Sequence, residues 1–271
     1  MINPARRPRI ARRTLNASLP VVVAIGLGLL VWTVVSITSG GWVPSVAEIG
    51  QEMGQQLRTP ETYEQIWITG RRILIVFGVV LVAGVLVGTV MGLNVYVRSF
   101  LRPLVVTGLA IPDVVYFILA ALILGTDESD ALVAMGIAVI PYVINIIAAG
   151  AQARDPGLDE MSKAYRLQRH RYLWDVVGLQ MTPSLLAASR TGFAFTWKLV
   201  VLMEAITQPD GIGSQIYLSF RLLRPDEMIS LAVVFAVLVV LVDVVAFVPL
   251  ERRLLAWMRQ PSRSKTTMAV A

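Results

Sequence analysis

Six apolar runs of about twenty residues each, the length that crosses a bilayer core as a helix, constrain this chain more than any other feature. They fall at roughly Leu19–Ile37, Leu74–Leu93, Leu104–Leu124, Ala131–Ala153, Ser184–Ile206 and Ile229–Leu250. Lipid offers no water to backbone N–H and C=O groups, so such runs satisfy those groups internally, as helices. The expected fold is an all-α integral membrane protein with six transmembrane helices. Composition agrees: 56% of the 271 residues are hydrophobic and 15% charged, against about a quarter charged in soluble domains. Pro103 and Pro112 in the third run and Pro141 in the fourth predict bent helices, because proline removes a backbone donor.

The same composition excludes much chemistry. There is no Cys and a single His, His170, which leaves no thiolate zinc site, iron–sulfur cluster, disulfide or His-activated nucleophile. His170 stands alone in a basic loop and reads as a solvated side chain. No G-x-x-x-x-G-K-[ST] stretch occurs, so ATP has no P-loop on this chain. No cofactor and no metal are expected on it. The net charge of +6 does not point to nucleic acid, because the basic residues flank apolar runs instead of forming a stripe.

Their placement sets an orientation. Arg6, Arg7, Arg9, Arg12 and Arg13 precede the first run, and Arg98 and Arg102 follow the second. Arg154, Lys163, Arg166, Arg169 and Arg171 follow the fourth, and Arg252, Arg253, Arg259, Arg263 and Lys265 follow the sixth. In a six-span chain all of these share one side. The opposite loops hold Arg58, Arg71, Arg72, Arg221 and Arg224, and the "GTDESDA" loop there is purely acidic. Basic loops stay in the cytoplasm, which puts both termini there. Arg12 and Arg13 ahead of an apolar run resemble a twin-arginine export signal. That run is long enough to span, no small-residue cleavage site follows, and five more spans come after it, so it is read as a retained helix.

This gives a basic cytoplasmic tail at 1–18, a first transmembrane helix at 19–37 and an outer loop at 38–73. A five-helix core follows at 74–250, including a cytoplasmic loop at 154–183, and a second basic tail closes the chain at 251–271. In the outer loop, Ser45 with Glu48 three residues on predicts a capping box and a short surface helix.

The cytoplasmic loop, "DEMSKAYRLQRHRYLWDVVGLQMTPSLL" at 159–186, is the least membrane-like stretch. Asp155 before Pro156 predicts a helix start. Leu158, Met161, Ala164 and Tyr165 fall on one face at helical spacing, with Lys163, Arg166 and Arg169 beside them. Such a segment suits either an anionic lipid surface or a protein groove. A second turn, with Tyr172, Leu173, Val176 and Val177, is expected before Thr182-Pro183 opens the fifth span.

"E-M-S-K-A-Y-R", with Pro183 twenty-three residues after Glu160, resembles the EAA loop of binding-protein-dependent ABC importer permeases. "WVPSVAEIGQEM", "AIPDVVYFILAALILG", "IPYVINIIAAG", "TWKLVVLMEAI" with "GIGSQI", and "LVVLVDVVAFVPLERRLLAW" resemble that family in order along nearly the whole chain, in its sulfonate, taurine and nitrate branch. Arg166 stands where the family has glycine, and Gly178-Leu179 where it has Leu-Pro. The resemblance implies a type I importer permease fold. It makes Asp159, Glu160, Met161, Lys163, Ala164, Tyr165, Arg166 and Leu167 an ATPase-coupling segment. It also implies a cytoplasmic ABC ATPase that carries ATP and Mg, an extracytoplasmic substrate-binding protein, and a second permease copy, identical or paralogous, in the lipid membrane.

Charges inside a span cost roughly 2.5–3.5 kcal/mol and face a cavity or a partner. In the fifth run Arg190, Trp197 and Glu204 are seven apart and stack with Ala194 and Val201 on one stripe, with Lys198 beside it. Asp113 and Tyr116 in the third run and Asn145 in the fourth complete the candidate translocation path. Arg190 and Glu204 suit the two interfaces equally well, and Asn145 suits helix-to-helix bonding. Asp243 in the sixth reads as one side of an interhelical bond. The expected function is inward movement of a small solute, anionic and sulfonate-, nitrate- or aromatic-acid-like, by alternating access, with no covalent chemistry on this chain. The alternative is an ion-gradient-driven secondary transporter, which Asp113, Asp243 and Lys198 permit, though no inverted repeat is apparent.

Overall fold

The computed structural model describes residues 9–125 and 127–256. Arg6, Arg7, Arg259, Arg263 and Lys265 of the two basic tails lie outside the described residues, as do the side chains of Arg9, Arg12 and Arg13. In chain order the helices are α1 (Arg9–Thr38), α2 (Val46–Gln56), α3 (Pro60–Leu93), α4 (Val95–Ala110), α5 (Asp113–Ile123) and α6 (Glu128–Gln152). They continue with α7 (Pro156–Ala164), α8 (Arg169–Arg171), α9 (Leu179–Thr207), α10 (Ile212–Arg221), α11 (Pro225–Val242) and α12 (Val248–Leu254). Short π-helical stretches, Tyr172–Gly178 and Asp243–Phe247, join α8 to α9 and α11 to α12.

Among the described residues, four helical segments are long and apolar enough to cross a membrane: Pro60–Leu93, Glu128–Gln152, Arg169–Thr207 and Pro225–Leu254. The bent pair α4–α5 would make a fifth. The described apolar part of α1, Val23–Thr38, is shorter than a span. The third run is not the single bent helix expected over Leu104–Leu124. It breaks by 97° between α4 and α5. Pro112 cannot donate to the ladder and pushes the residue before it out of the helical region, and Ile111 is extended at φ −72°, ψ 129°. The fifth helix also departs from expectation, since Pro183 lies one turn inside α9 rather than opening it.

The chain divides into two compact units. One comprises the described residues up to Tyr63 with Gln215–Val234. Here the capping box at Ser45 forms as read: its hydroxyl accepts from the Glu48 amide at 3.2 Å, and its own amide donates to Glu48 Oε2 at 2.7 Å. Trp32 Nε1 donates to the Pro44 carbonyl at 3.1 Å and Ser36 to that of Val43 at 3.0 Å, tying α1 to the entry of α2. An apolar groove of about 540 Å³ runs between Leu29, Trp32, Ile49, Met53 and Ile229.

The other unit, Glu64–Ser214 with the described residues from Phe235 on, is organised around α6 and α9. Ala138, Val139, Val143 and Ile147 of α6 and Ala188, Val200 and Met203 of α9 are buried. Gly88 of α3 lets that helix approach closely, because a Cβ there would overlap Ile147 and the Ile144 carbonyl. Small residues serve this purpose at membrane helix contacts. Phe77, Phe193 and Phe247 meet edge-on or tilted in one aromatic cluster. By contrast Leu74, Val79, Val82 and Leu86 of α3 stay exposed, an apolar outer face suited to lipid.

Candidate functional site

Beyond the end of α6, α7 begins as read. Asp155 Oδ1 accepts from the Gly157 amide at 2.8 Å, with Pro156 at the first helical position. The face that α7 turns to its own chain is polar. Arg154 Nη1 and the Tyr172 hydroxyl both lie 3.1 Å from Asp159 Oδ1 and bond each other at 3.0 Å. Ser162, 4% exposed, donates to the Asp159 carbonyl at 2.7 Å. Flanking that bonded side, Leu158, Met161 and Tyr165 are apolar and exposed, as is Trp174 downstream. Glu160, Lys163 and Ala164 are exposed with them. The helix ends in a Schellman motif, with Leu167 N donating to Ser162 O and Arg166 N to Lys163 O, both at 3.0 Å. Such a motif needs a left-handed residue, usually glycine, and Arg166 takes that role at φ +49°. His170 is exposed.

At the other end of the α6–α9 pair lies a buried charge network. Arg72, 1% exposed, donates from Nη1 to Glu204 Oε1 at 2.8 Å, from Nη2 to Asp210 Oδ1 at 2.6 Å and from Nε to Glu128 Oε1 at 3.1 Å. Glu204 is fully buried, and its second oxygen accepts from Thr69 at 2.9 Å and from the Gly213 amide at 3.0 Å. Thr69 accepts in turn from the Ile212 amide at 2.8 Å, and Gln65 from that of Gly211. Gly211 sits at φ +99°, where a Cβ would overlap the Glu204 carboxylate. The loop after α9 is thus clamped onto α3.

The path candidates separate accordingly. Glu204 is enclosed, whereas Arg190, half-exposed, donates to Asp243 at 2.6 Å and to Glu251 at 3.4 Å. Arg190 and Glu251 line an open cavity of about 340 Å³. Trp197 meets Phe235 edge-on at 5.7 Å, Val201 is half-buried, and Lys198 is exposed. Asp113 opens α5 with Tyr142 and Tyr116 beside it, and Tyr116 donates to the Gly108 carbonyl at 3.0 Å. Asn145 is exposed in a separate cavity with Arg98 and Arg102. Sequence reasoning missed both the Arg72–Glu204 pair and this cavity. Arg72, Arg98 and Arg102 had served only to orient the spans.

Among the described residues the secondary structure is helical, and several helices have membrane length and apolar composition, which makes this a multi-pass membrane protein. Residues 81–254 match the model of the binding-protein-dependent transport system inner membrane components, and the chain belongs to that family. It is 23% identical over 231 residues to the nitrate import permease protein NrtB of Synechocystis sp., covering 82% of this chain and 84% of that one. To NrtB of Synechococcus elongatus it is 23% identical over 213 residues, 73% of this chain and 75% of that one. To the putative aliphatic sulfonates transport permease protein SsuC of Escherichia coli it is 30% identical over 149 residues, 54% of this chain and 56% of that one. The protein is a multi-pass inner-membrane permease, and its family works with an ATPase and a substrate-binding protein. The matched residues include α7 but not Arg72 or α2.

Proposed function

We propose that this chain is the membrane subunit of an ATP-driven importer that moves a small anion inward by alternating access. The anion is of nitrate or sulfonate type, following the relatives' names. In this reading the basic loops and both termini face the cytoplasm, six spans include α1 and the broken pair α4–α5, and two permease copies enclose the path. Asp113, Tyr116, Asn145, Arg190, Trp197, Lys198 and Val201 contribute to that path, with Glu204 bracing its outer end. Residues 159–167 seat in a groove of the ATPase, which carries ATP and Mg, and a soluble binding protein delivers the solute on the opposite side. ATPase closure moves α7 and α9 together, because the Arg154–Asp159–Tyr172 bonds and the Asp155–Gln180 bond at 2.7 Å lash one to the other.

The observation that carries this reading is the exposed apolar cluster on α7. Leu158, Met161 and Tyr165 stand exposed together beside the side bonded to the chain, and an exposed apolar cluster of this kind marks a contact surface. The test is recovery of the ATPase on tagged permease expressed with its natural partners. Wild type retains the ATPase. Leu158→Asp with Met161→Asp reduces recovery at least about tenfold, as for loss of interface anchors worth more than about 1.4 kcal/mol. Unchanged recovery, or uptake by the chain alone in liposomes under an ion gradient without ATP, would replace this reading with a secondary transporter.

A further inference from the structure

A cavity of about 500 Å³ opens at the α7 end of α6, lined by Arg98, Arg102 and Val105 of α4 and by Asn145, Ala149 and Gln152 of α6. Arg98 and Arg102 are four residues apart, so they share one face of α4. Arg71, Arg72, Arg154, Arg190 and Arg224 each have a carboxylate within ion-pair distance. Among the described residues Arg98 and Arg102 have none, and no acidic residue lines the cavity. The Asn145 amide, a third donor, has no bonding partner in the chain among the described residues, while Gln152 donates to the Ala148 carbonyl at 2.9 Å. Met91, Val105, Val106 and Ala148 supply the apolar part of the lining. Arg98 is half-buried, and Arg102 and Asn145 stay exposed in the open cavity. The volume lies in the usual range for small-ligand sites, roughly 300–1,000 Å³.

We infer that this cavity is an anion site, in which the Arg98 and Arg102 guanidiniums and the Asn145 amide hold the oxygens of a small oxoanion such as a sulfonate or nitrate. Guanidiniums bind such groups through two parallel N–H donors each, and without an anion the two positive charges only repel. The phosphate of a lipid headgroup offers the same oxygens from the membrane side. That the free occupant is the transported solute rests on the function proposed above. That the cavity takes an oxoanion rests on its own donors.

The full chain in nanodiscs of phosphatidylcholine, dialysed against labelled methanesulfonate, tests this. Wild type binds saturably, and R98Q/R102Q weakens binding at least about tenfold, since charge-assisted hydrogen bonds to an oxoanion are the strong ones and glutamine supplies none. R98K/R102K retains an intermediate affinity. Unchanged helicity and melting of the variants show that they fold. If wild type ignores methanesulfonate but enriches phosphatidylglycerol from mixed lipid, and R98Q/R102Q does not, the same site is filled by a headgroup. If R98Q/R102Q matches wild type with both probes, the site does not exist. Methanesulfonate binding without anion uptake by the complete importer would overturn the solute class proposed above and leave the site standing.

Discussion

The two ends of the α6–α9 pair follow opposite rules. At the Glu128 end Arg72 is closed on three carboxylates, Glu204, Asp210 and Glu128, and Thr69, Gln65 and Glu204 take the loop amides in turn. At the Gln152 end, roughly 36 Å away at 1.5 Å per residue, Arg98 and Arg102 stand unpaired and α7 shows Leu158, Met161 and Tyr165 outward. A buried ion pair adds little net stability yet is costly to break, because its remaining partner is left charged in a medium that cannot solvate it. An exposed apolar face costs little to alter within the chain and much to alter in a complex. One end is a rigid anchor and the other an unfinished surface.

The strongest way to break this contrast is Arg72→Leu. It leaves the buried Glu204 without its cation and should destabilise the protein by about 3–5 kcal/mol, read from unfolding in mixed micelles. Removing both charges, as Arg72→Leu with Glu204→Leu, should recover most of that loss. A single variant within about 1 kcal/mol of wild type would show that the network is not what holds the loop after α9, since surface ion pairs fall in that range.

A smaller effect comes from the end of α7. Arg166 holds a left-handed conformation at φ +49°, which costs an ordinary residue roughly 1–2 kcal/mol and glycine almost nothing. Arg166→Gly should therefore steady the Schellman motif by about 1 kcal/mol after glycine's extra unfolded-state freedom is subtracted. The amides of Tyr165 and Leu167 should then exchange with solvent about fivefold more slowly, since 1.4 kcal/mol is tenfold. Equal or faster exchange would mean that the arginine side chain itself holds the turn.

What could be read in advance follows the range of the forces involved. Helix formation in lipid depends on a local run, so Leu74–Leu93 and Ala131–Ala153 could be placed without any partner. The caps at Ser45 and Asp155 depend on three neighbouring residues and formed as read. Pro112 marked the break in the third run, but its 97° angle depends on how α5 packs on α6. The Arg72–Glu204 pair joins positions 132 residues apart, and nothing local to either marks the other. Arg98 and Arg102 looked like topology markers because their lack of partners is visible only once α4 lies beside Asn145.

The finest test asks for almost no effect. Leu158→Asp with Met161→Asp should change the stability of the isolated permease by less than about 0.5 kcal/mol, as for surface substitutions away from caps and cores. The bonds that hold α7 come from Asp155, Asp159 and Ser162, and Leu158 and Met161 remain 38% and 46% exposed. The same variant is expected to lose the ATPase. A thermal melt and an affinity pull-down of one preparation therefore separate the two roles of the helix. If stability and docking fall together, the apolar face belongs to the fold, and α7 resembles the Glu204 end more than its exposure suggests. If only docking falls, the face was left uncovered in the chain because its cover is another protein.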